Sequence, residues 1–144
     1  VGANQNRTIT GDPIDWSSKR GWYLDLPGLG ERANTDPSIA FGALVFTTNE
    51  PSPLECSSKN FIYALDETQG VQQPDKNFDT VTGLPWAGLY LGNTMASRPV
   101  LIALPSGKVD ALVHQADNTV ASVRLPIGGN AMVARRLSWR EILR

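Results

Sequence analysis

The one histidine, His114, lies in the run Leu112-Val113-His114-Gln115. A single imidazole cannot build a histidine-based metal cluster, so an unremarkable place on a strand is expected for it. The one cysteine, Cys56, would need a neighbouring His or a basic pocket to become a nucleophile. Its sequence surroundings offer neither. In an oxidising compartment Cys56 is expected to form an intermolecular or inter-domain disulfide with a cysteine outside this chain, or to stay free. Asp12, Asp15, Asp25, Glu31 and Asp36 bring carboxylates close together in sequence, and a carboxylate pair can do acid–base work. Yet they mostly flank turns, and Asp12-Pro13 and Asp36-Pro37 are turn formers in their own right. Arg135, Arg136 and Arg140, with Trp139 among them, are the candidate interaction residues, followed by Arg144. They suit contact with an acidic partner or an anionic surface. They suit equally a solvated helix C-terminus, where cations favour the helix dipole. No haem-attachment motif and no glycine-rich phosphate loop occurs. These residues predict no catalytic centre, so the chain is expected not to be an enzyme.

The elements that would position such side chains follow from composition and pattern. A length of 144 residues suits one domain, and the net charge of -1 argues against a dedicated nucleic-acid binder, which carries a basic face. No apolar run approaches the roughly 20 residues of a membrane-spanning helix. The longest, Ile39 to Phe46, is interrupted by Gly42. No signal-peptide pattern is expected within these residues. The chain starts at Val1, which suggests a cleaved leader or a piece of a longer polypeptide. One cysteine cannot make an internal disulfide and does not fix the compartment.

Glycine (13) and proline (10) are spread along the sequence, punctuating short apolar runs in the manner of an all-β protein. Trp22 to Leu26 reads as a strand ended by Pro27-Gly28. Pro37 to Ala40, Phe41-Gly42 and Ala43 to Thr48 read as a hairpin, and Phe61 to Leu65 as a further strand. Val71 to Met95, rich in Gln, Asp, Asn, Gly and Pro, reads as a long loop ordered by Trp86, Leu89 and Tyr90. Val100 to Leu104, Lys108 to Gln115 and Thr119 to Leu125 then form a second set of strands, turned at Pro105-Ser106-Gly107 and Ala116-Asp117-Asn118. The expected fold is all-β, with antiparallel meander units at about 20–70 and 97–125, an inter-blade loop at 71–95 and a tail at 135–144. Meanders of this size build β-propellers at about 40–45 residues per blade. Ser138-Trp139-Arg140-Glu141 fits a capping box, so a short C-terminal helix is expected over Trp139 to Leu143. Its Trp139, Ile142 and Leu143 would dock on a sheet.

Gly21-Trp22-Tyr23-Leu24-Asp25-Leu26, Gly30-Glu31-Arg32, and Phe46-Thr47-Thr48 with Pro51 and Cys56 occur in order. Ser97-Arg98-Pro99-Val100 and the closing Arg135-Arg136-Leu137-Ser138-Trp139-Arg140-Glu141-Ile142-Leu143 follow them. Together these segments resemble the C-terminal propeller of PilC/PilY-type type IV pilus proteins. The resemblance implies a structural and adhesive module at the pilus tip or base, one that supports assembly and surface attachment. It implies an extracellular, pilus-associated place on the outer-membrane side of a bacterium. Its partners would be the rest of a longer propeller chain, other pilus subunits or a host surface receptor, with no nucleic acid and no membrane span. Members often bind calcium through an Asp-rich loop, but Asp66, Asp75 and Asp79 are too scattered for the ligand spacing calcium needs, so no calcium site is carried over. The family propeller needs about seven blades, whereas this length supplies roughly three at most. Separately, Tyr63-Ala64-Leu65-Asp66 with Gly70 is similar to the repeat of quinoprotein-type propellers. An alternative is therefore a fragment of such an enzyme, although no coherent ligand set for its cofactor is evident. A second alternative is a subunit of an extracellular fibre assembled through strand edges. No haem, quinone or zinc is expected.

Overall fold

The computed structural model describes residues 5–9, 11–52, 57–71 and 86–127. Within them the chain is all-β and antiparallel, and no helix forms. The strands are β1 (Ser38–Ala40), β2 (Ala43–Pro51), β3 (Ser58–Asp66), β4 (Gly88–Gly92), β5 (Val100–Ala103), β6 (Val109–His114) and β7 (Val120–Arg124). They make two meanders, one four-stranded in the order β1-β2-β3-β4 and one three-stranded in the order β5-β6-β7.

Turn chemistry sets the registers. Ala40 pairs with Ala43, so β1 and β2 are joined by the two residues Phe41 and Gly42. Both have positive φ, 54° and 79°, the mirror-image turn whose twist matches flanking strands. Phe41 holds this conformation without the freedom of a glycine. After β3, the Asp66 carboxylate accepts bonds from the Thr68 N–H, the Thr68 hydroxyl and the Gln69 N–H. Burial pushes the Asp66 carboxyl up, but these bonds outweigh it and hold the group below its ordinary value. Asp117 repeats the device between β6 and β7, bonding the Thr119 N–H and hydroxyl.

β2 and β3 lie in the middle of the molecule and are buried along nearly their whole length. Side chains alternate across a strand, so both faces of this hairpin must be covered. One face, Ala43, Val45, Ile62 and Ala64, packs with Trp86 on Val109, Ala111, Val113 and Val123 of the second sheet. The other face carries Phe46, Phe61, Tyr63 and Leu65. It is covered by Ile9, Trp22, Leu24 and Leu26 from the irregular N-terminal segment. Burying a side chain of this size contributes about 1.5–3 kcal/mol. The molecule is thus three layers: sheet, central sheet, coil.

Two expectations are corrected. Trp22 to Leu26 forms no strand. Its residues alternate between partly buried and exposed, as a strand's would, because the segment is an extended chain laid on the sheet with no ladder partner. Within the expected loop at 71–95, Gly88–Gly92 is a strand paired with β3, and Trp86 and Tyr90 join the two main cores instead of a local cluster. The expected C-terminal helix, with its capping box, lies outside the described residues.

Candidate functional site

The densest group of charged side chains is built where the N-terminal coil meets the β2–β3 hairpin. Arg7 reaches this place through its backbone, which bridges to Gly88 at the start of β4. Its N–H donates to the Gly88 carbonyl at 2.6 Å, and its carbonyl accepts from Ala87 and Gly88. The Arg7 guanidinium lies 4.3 Å from the centre of the Phe61 ring, a cation–π arrangement. Arg7 Nη2 donates to Glu50 Oε2 at 2.9 Å and to Glu31 Oε2 at 3.4 Å.

Glu31 is the centre of the group. Its side chain is 0% exposed. Oε1 accepts from the Thr48 hydroxyl at 2.6 Å and the Tyr63 hydroxyl at 3.0 Å, and Oε2 accepts from the Gly28 N–H at 2.9 Å as well as from Arg7. A carboxylate has about four lone-pair sites, and here each oxygen has two donors. A Cβ at Gly28 would stand 2.4 Å from Glu50 Oε2 and 2.7 Å from Glu31 Oε2, so both carboxylates would have to shift to admit one. The Tyr63 phenol is driven well above its ordinary value, first by burial and then by the charge of Glu31. Tyr63 also stacks on Phe46 at 5.0 Å with rings 4° from parallel. Every acceptor site of the Glu31 carboxylate is taken by a donor of the protein, and the Tyr63 hydroxyl is committed to Glu31. The group clamps the coil to the sheet. A cleft of about 270 Å³ beside it is lined by Arg7, Leu24, Asp25 and Tyr63, among others.

A second, larger cleft of about 490 Å³ opens at the end of the hairpin where Pro51 pairs with Ser58, beside the segment leading to the second sheet. Amide side chains hold that segment. Asn49 Oδ1 accepts from the Ala96 N–H at 2.7 Å, and its Nδ2 donates to the Ala96 carbonyl at 3.2 Å and to Asn34 Oδ1 at 2.8 Å. Asn60 Nδ2 donates to the Thr94 carbonyl at 2.7 Å, and the Thr47 hydroxyl to the Ser97 carbonyl at 2.7 Å. Asn49 thereby imitates a strand backbone, and the crossover is joined to the central sheet by side chains. Arg32, Asn34, Ser58, Asn93 and Met95 line the cleft.

Of the residues singled out from sequence, His114 ends β6 in an exposed position. Among the described residues no three His, Cys, Asp or Glu side chains group to hold a metal. Asp12, Asp25 and Asp36 are exposed. Asp15 bonds Ser17 and Ser18 in its own turn, and the Ser17 hydroxyl and N–H hold its carboxyl below the ordinary value. Glu31 was grouped with turn-flanking carboxylates; it is instead a buried acceptor. Its partner Arg7, which also holds Glu50, carries no local signal, because it lies 24 residues from Glu31 and 43 from Glu50. Cys56, Arg135, Arg136, Trp139 and Arg140 lie outside the described residues, as do Asp75 and Asp79.

Comparison with known proteins adds one relation. Over 72 residues the chain is 35% identical to a type IV pilus biogenesis factor PilY1 homolog of Xylella fastidiosa (strain Temecula1). The match covers 44% of this chain and 5% of that protein. No protein-family model matches the chain, and no solved structure matches it. Among the described residues no helix is long and apolar enough to cross a membrane.

Proposed function

We propose that this chain is a structural and adhesive module of a type IV pilus assembly, placed at the cell surface and without turnover of its own. The observation that carries this reading is the partial identity with the Xylella pilus biogenesis factor homolog. The ordered segments Gly21 to Leu26, Gly30-Glu31-Arg32 and Ser97 to Val100 support it. Two of these have structural work: Glu31 is the clamp, and Ser97 receives Thr47 at the crossover.

The two meanders are read as neighbouring blades of a larger β-propeller. Their cores merge face to face, and their first strands, β1 and β5, approach each other, as innermost blade strands do. Ile39, Phe41, Val100 and Ile102 on and beside those strands are exposed. In this reading they contact further blades or other pilus subunits. No bound calcium or quinone is proposed, since no three His, Cys, Asp or Glu side chains group together among the described residues.

The test is deletion of this sequence in the bacterium that carries it, with surface pili counted by electron microscopy and attachment to a surface measured in parallel. Fewer pili and weaker attachment are expected, both restored by complementation. Wild-type piliation in the deletion strain would overturn the reading.

A further inference from the structure

The cleft at the crossover has a one-sided hydrogen-bonding character. Arg32 is placed in it by two backbone bonds with Asn49, both 3.0 Å. Its Nε donates to the Gly30 carbonyl at 3.1 Å. Among the described residues its guanidinium has no ion pair. Asn34 and Asn93 have their oxygens engaged, by Asn49 Nδ2 at 2.8 Å and by the Tyr90 hydroxyl at 2.7 Å. What these two side chains have left is their NH2 groups, which are donors only, and no described residue accepts from them. The Ser58 residue is 7% exposed, and its hydroxyl is buried with no hydrogen-bond partner among the described residues. A buried polar atom without a partner calls for an explanation. No carboxylate lines the cleft among the described residues.

Described residues that offer spare donors, one cation without an ion pair and no carboxylate favour a ligand that is rich in acceptors and singly negative. That is a carboxylate. A phosphate would call for more positive charge than one guanidinium. The remaining walls decide which carboxylate. Pro51 and the half-exposed Met95 are aliphatic, and among the described residues no aromatic ring lines the cleft on which a sugar could stack. We propose that the cleft captures the C-terminal carboxylate of an extended peptide from a partner protein. Arg32 forks the carboxylate, Asn34 and Asn93 donate to it or to the last peptide carbonyl, and the last side chain, an apolar one, rests on Pro51 and Met95. Capture of a chain terminus is an established mode of peptide recognition, and about 490 Å³ is within the usual size of a ligand site.

The experiment is fluorescence anisotropy on the full 144-residue chain with a labelled hexapeptide ending in leucine, made as the free acid and as the C-terminal amide. The free acid should bind at least about tenfold more tightly, the loss expected when one charge-assisted pair is removed. Arg32→Gln should reduce the free acid to the affinity of the amide. Its fold should be retained, because Arg32 is held through its backbone; an unchanged urea midpoint checks this. Equal binding of acid and amide, an Arg32→Gln variant that binds as well as the parent, or no binding of the acid at ~1 mM would each overturn the proposal. So would direct binding of glucuronate, followed by calorimetry, in the absence of peptide binding, which would assign the cleft to a sugar acid.

Discussion

Replacing Glu31 by glutamine changes one oxygen to an NH2 group and leaves the size of the side chain unaltered. In the folded protein, Glu31 accepts four bonds, from Thr48, Tyr63, Gly28 and Arg7. Glutamine keeps one acceptor oxygen. If that oxygen faces Gly28 and Arg7, the NH2 group faces two hydroxyls whose protons lose their acceptor. If it faces the hydroxyls, the NH2 group meets two donors. In either orientation two buried donors go unsatisfied, at about 1–3 kcal/mol each. Breaking one side of a buried ion pair costs about 3–5 kcal/mol. A loss of roughly 2–4 kcal/mol is therefore expected. With a urea slope of about 2 kcal/mol/M, the unfolding midpoint falls by roughly 1–2 M. Glu50→Gln is the internal comparison. Glu50 makes one of these contacts and is 17% exposed in its side chain, so about 1 kcal/mol is expected. The assay is urea unfolding followed by tryptophan fluorescence. A Glu31→Gln midpoint within about 0.25 M of the parent, or a Glu50→Gln loss as large as that of Glu31→Gln, would refute the clamp.

Tyr63 gives a pH dependence. Its phenol is raised in the folded state, so stability is complete below the ordinary value near 10 and falls above it, where only the unfolded chain releases the proton. Tyr63→Phe should cost about 1 kcal/mol at neutral pH and should flatten the fall between about pH 9 and 11; an unchanged alkaline slope in that variant would contradict the assignment. Asn49→Ala should cost about 2–3 kcal/mol by releasing the crossover at Ala96, lowering Tm by roughly 5–10 °C in calorimetry; a shift under about 2 °C would mean the crossover is held elsewhere. Gly88→Ala should cost about 1–3 kcal/mol, since a Cβ there would stand 2.8 Å from the Tyr63 ring, and a variant as stable as the parent in urea would show that the ring has room. Gly70→Ala meets both a φ of 66° and the Trp22 ring at 2.4 Å; the Trp22 fluorescence maximum should move as the ring is displaced, and an unmoved spectrum would count against that packing.

The hairpin of β1 and β2 is readable because Phe41-Gly42 interrupts two β-rich runs, and a turn signal is local. The turns after Leu104 and His114 are readable for the same reason. β4 is not: Gly88-Leu89-Tyr90-Leu91-Gly92 is short, bounded by glycine, and becomes a strand only through pairing with β3, some thirty residues away in register pairs such as Phe61 with Tyr90. Trp22 to Leu26 fails in the opposite sense. Period-two alternation reports an extended chain with one side buried, and it is silent on whether a ladder partner exists. The clamp is invisible for a further reason. Arg7, Glu31 and Glu50 are ordinary surface residue types, and only the layering of coil on sheet brings them into one desolvated place. The crossover is similar, for nothing about Asn49 in sequence announces that its amide stands in for a backbone.

The two faces of the central hairpin are covered by different kinds of structure. The second sheet carries its own ladder, whereas among the described residues the coil over Phe46, Phe61, Tyr63 and Leu65 touches the strands by backbone pairing only at Arg7 and Arg32. The coil can lift away without breaking any ladder of β1 to β7. Such a partial opening is a separate cooperative unit. Amide protons between β2 and β3 should exchange only on global unfolding, while those of Arg7, Glu31 and Arg32 exchange by the lower-energy route. In that transient form the aromatic face of the hairpin is bare, and it is the surface through which copies of this chain would first adhere to one another on storage or overexpression.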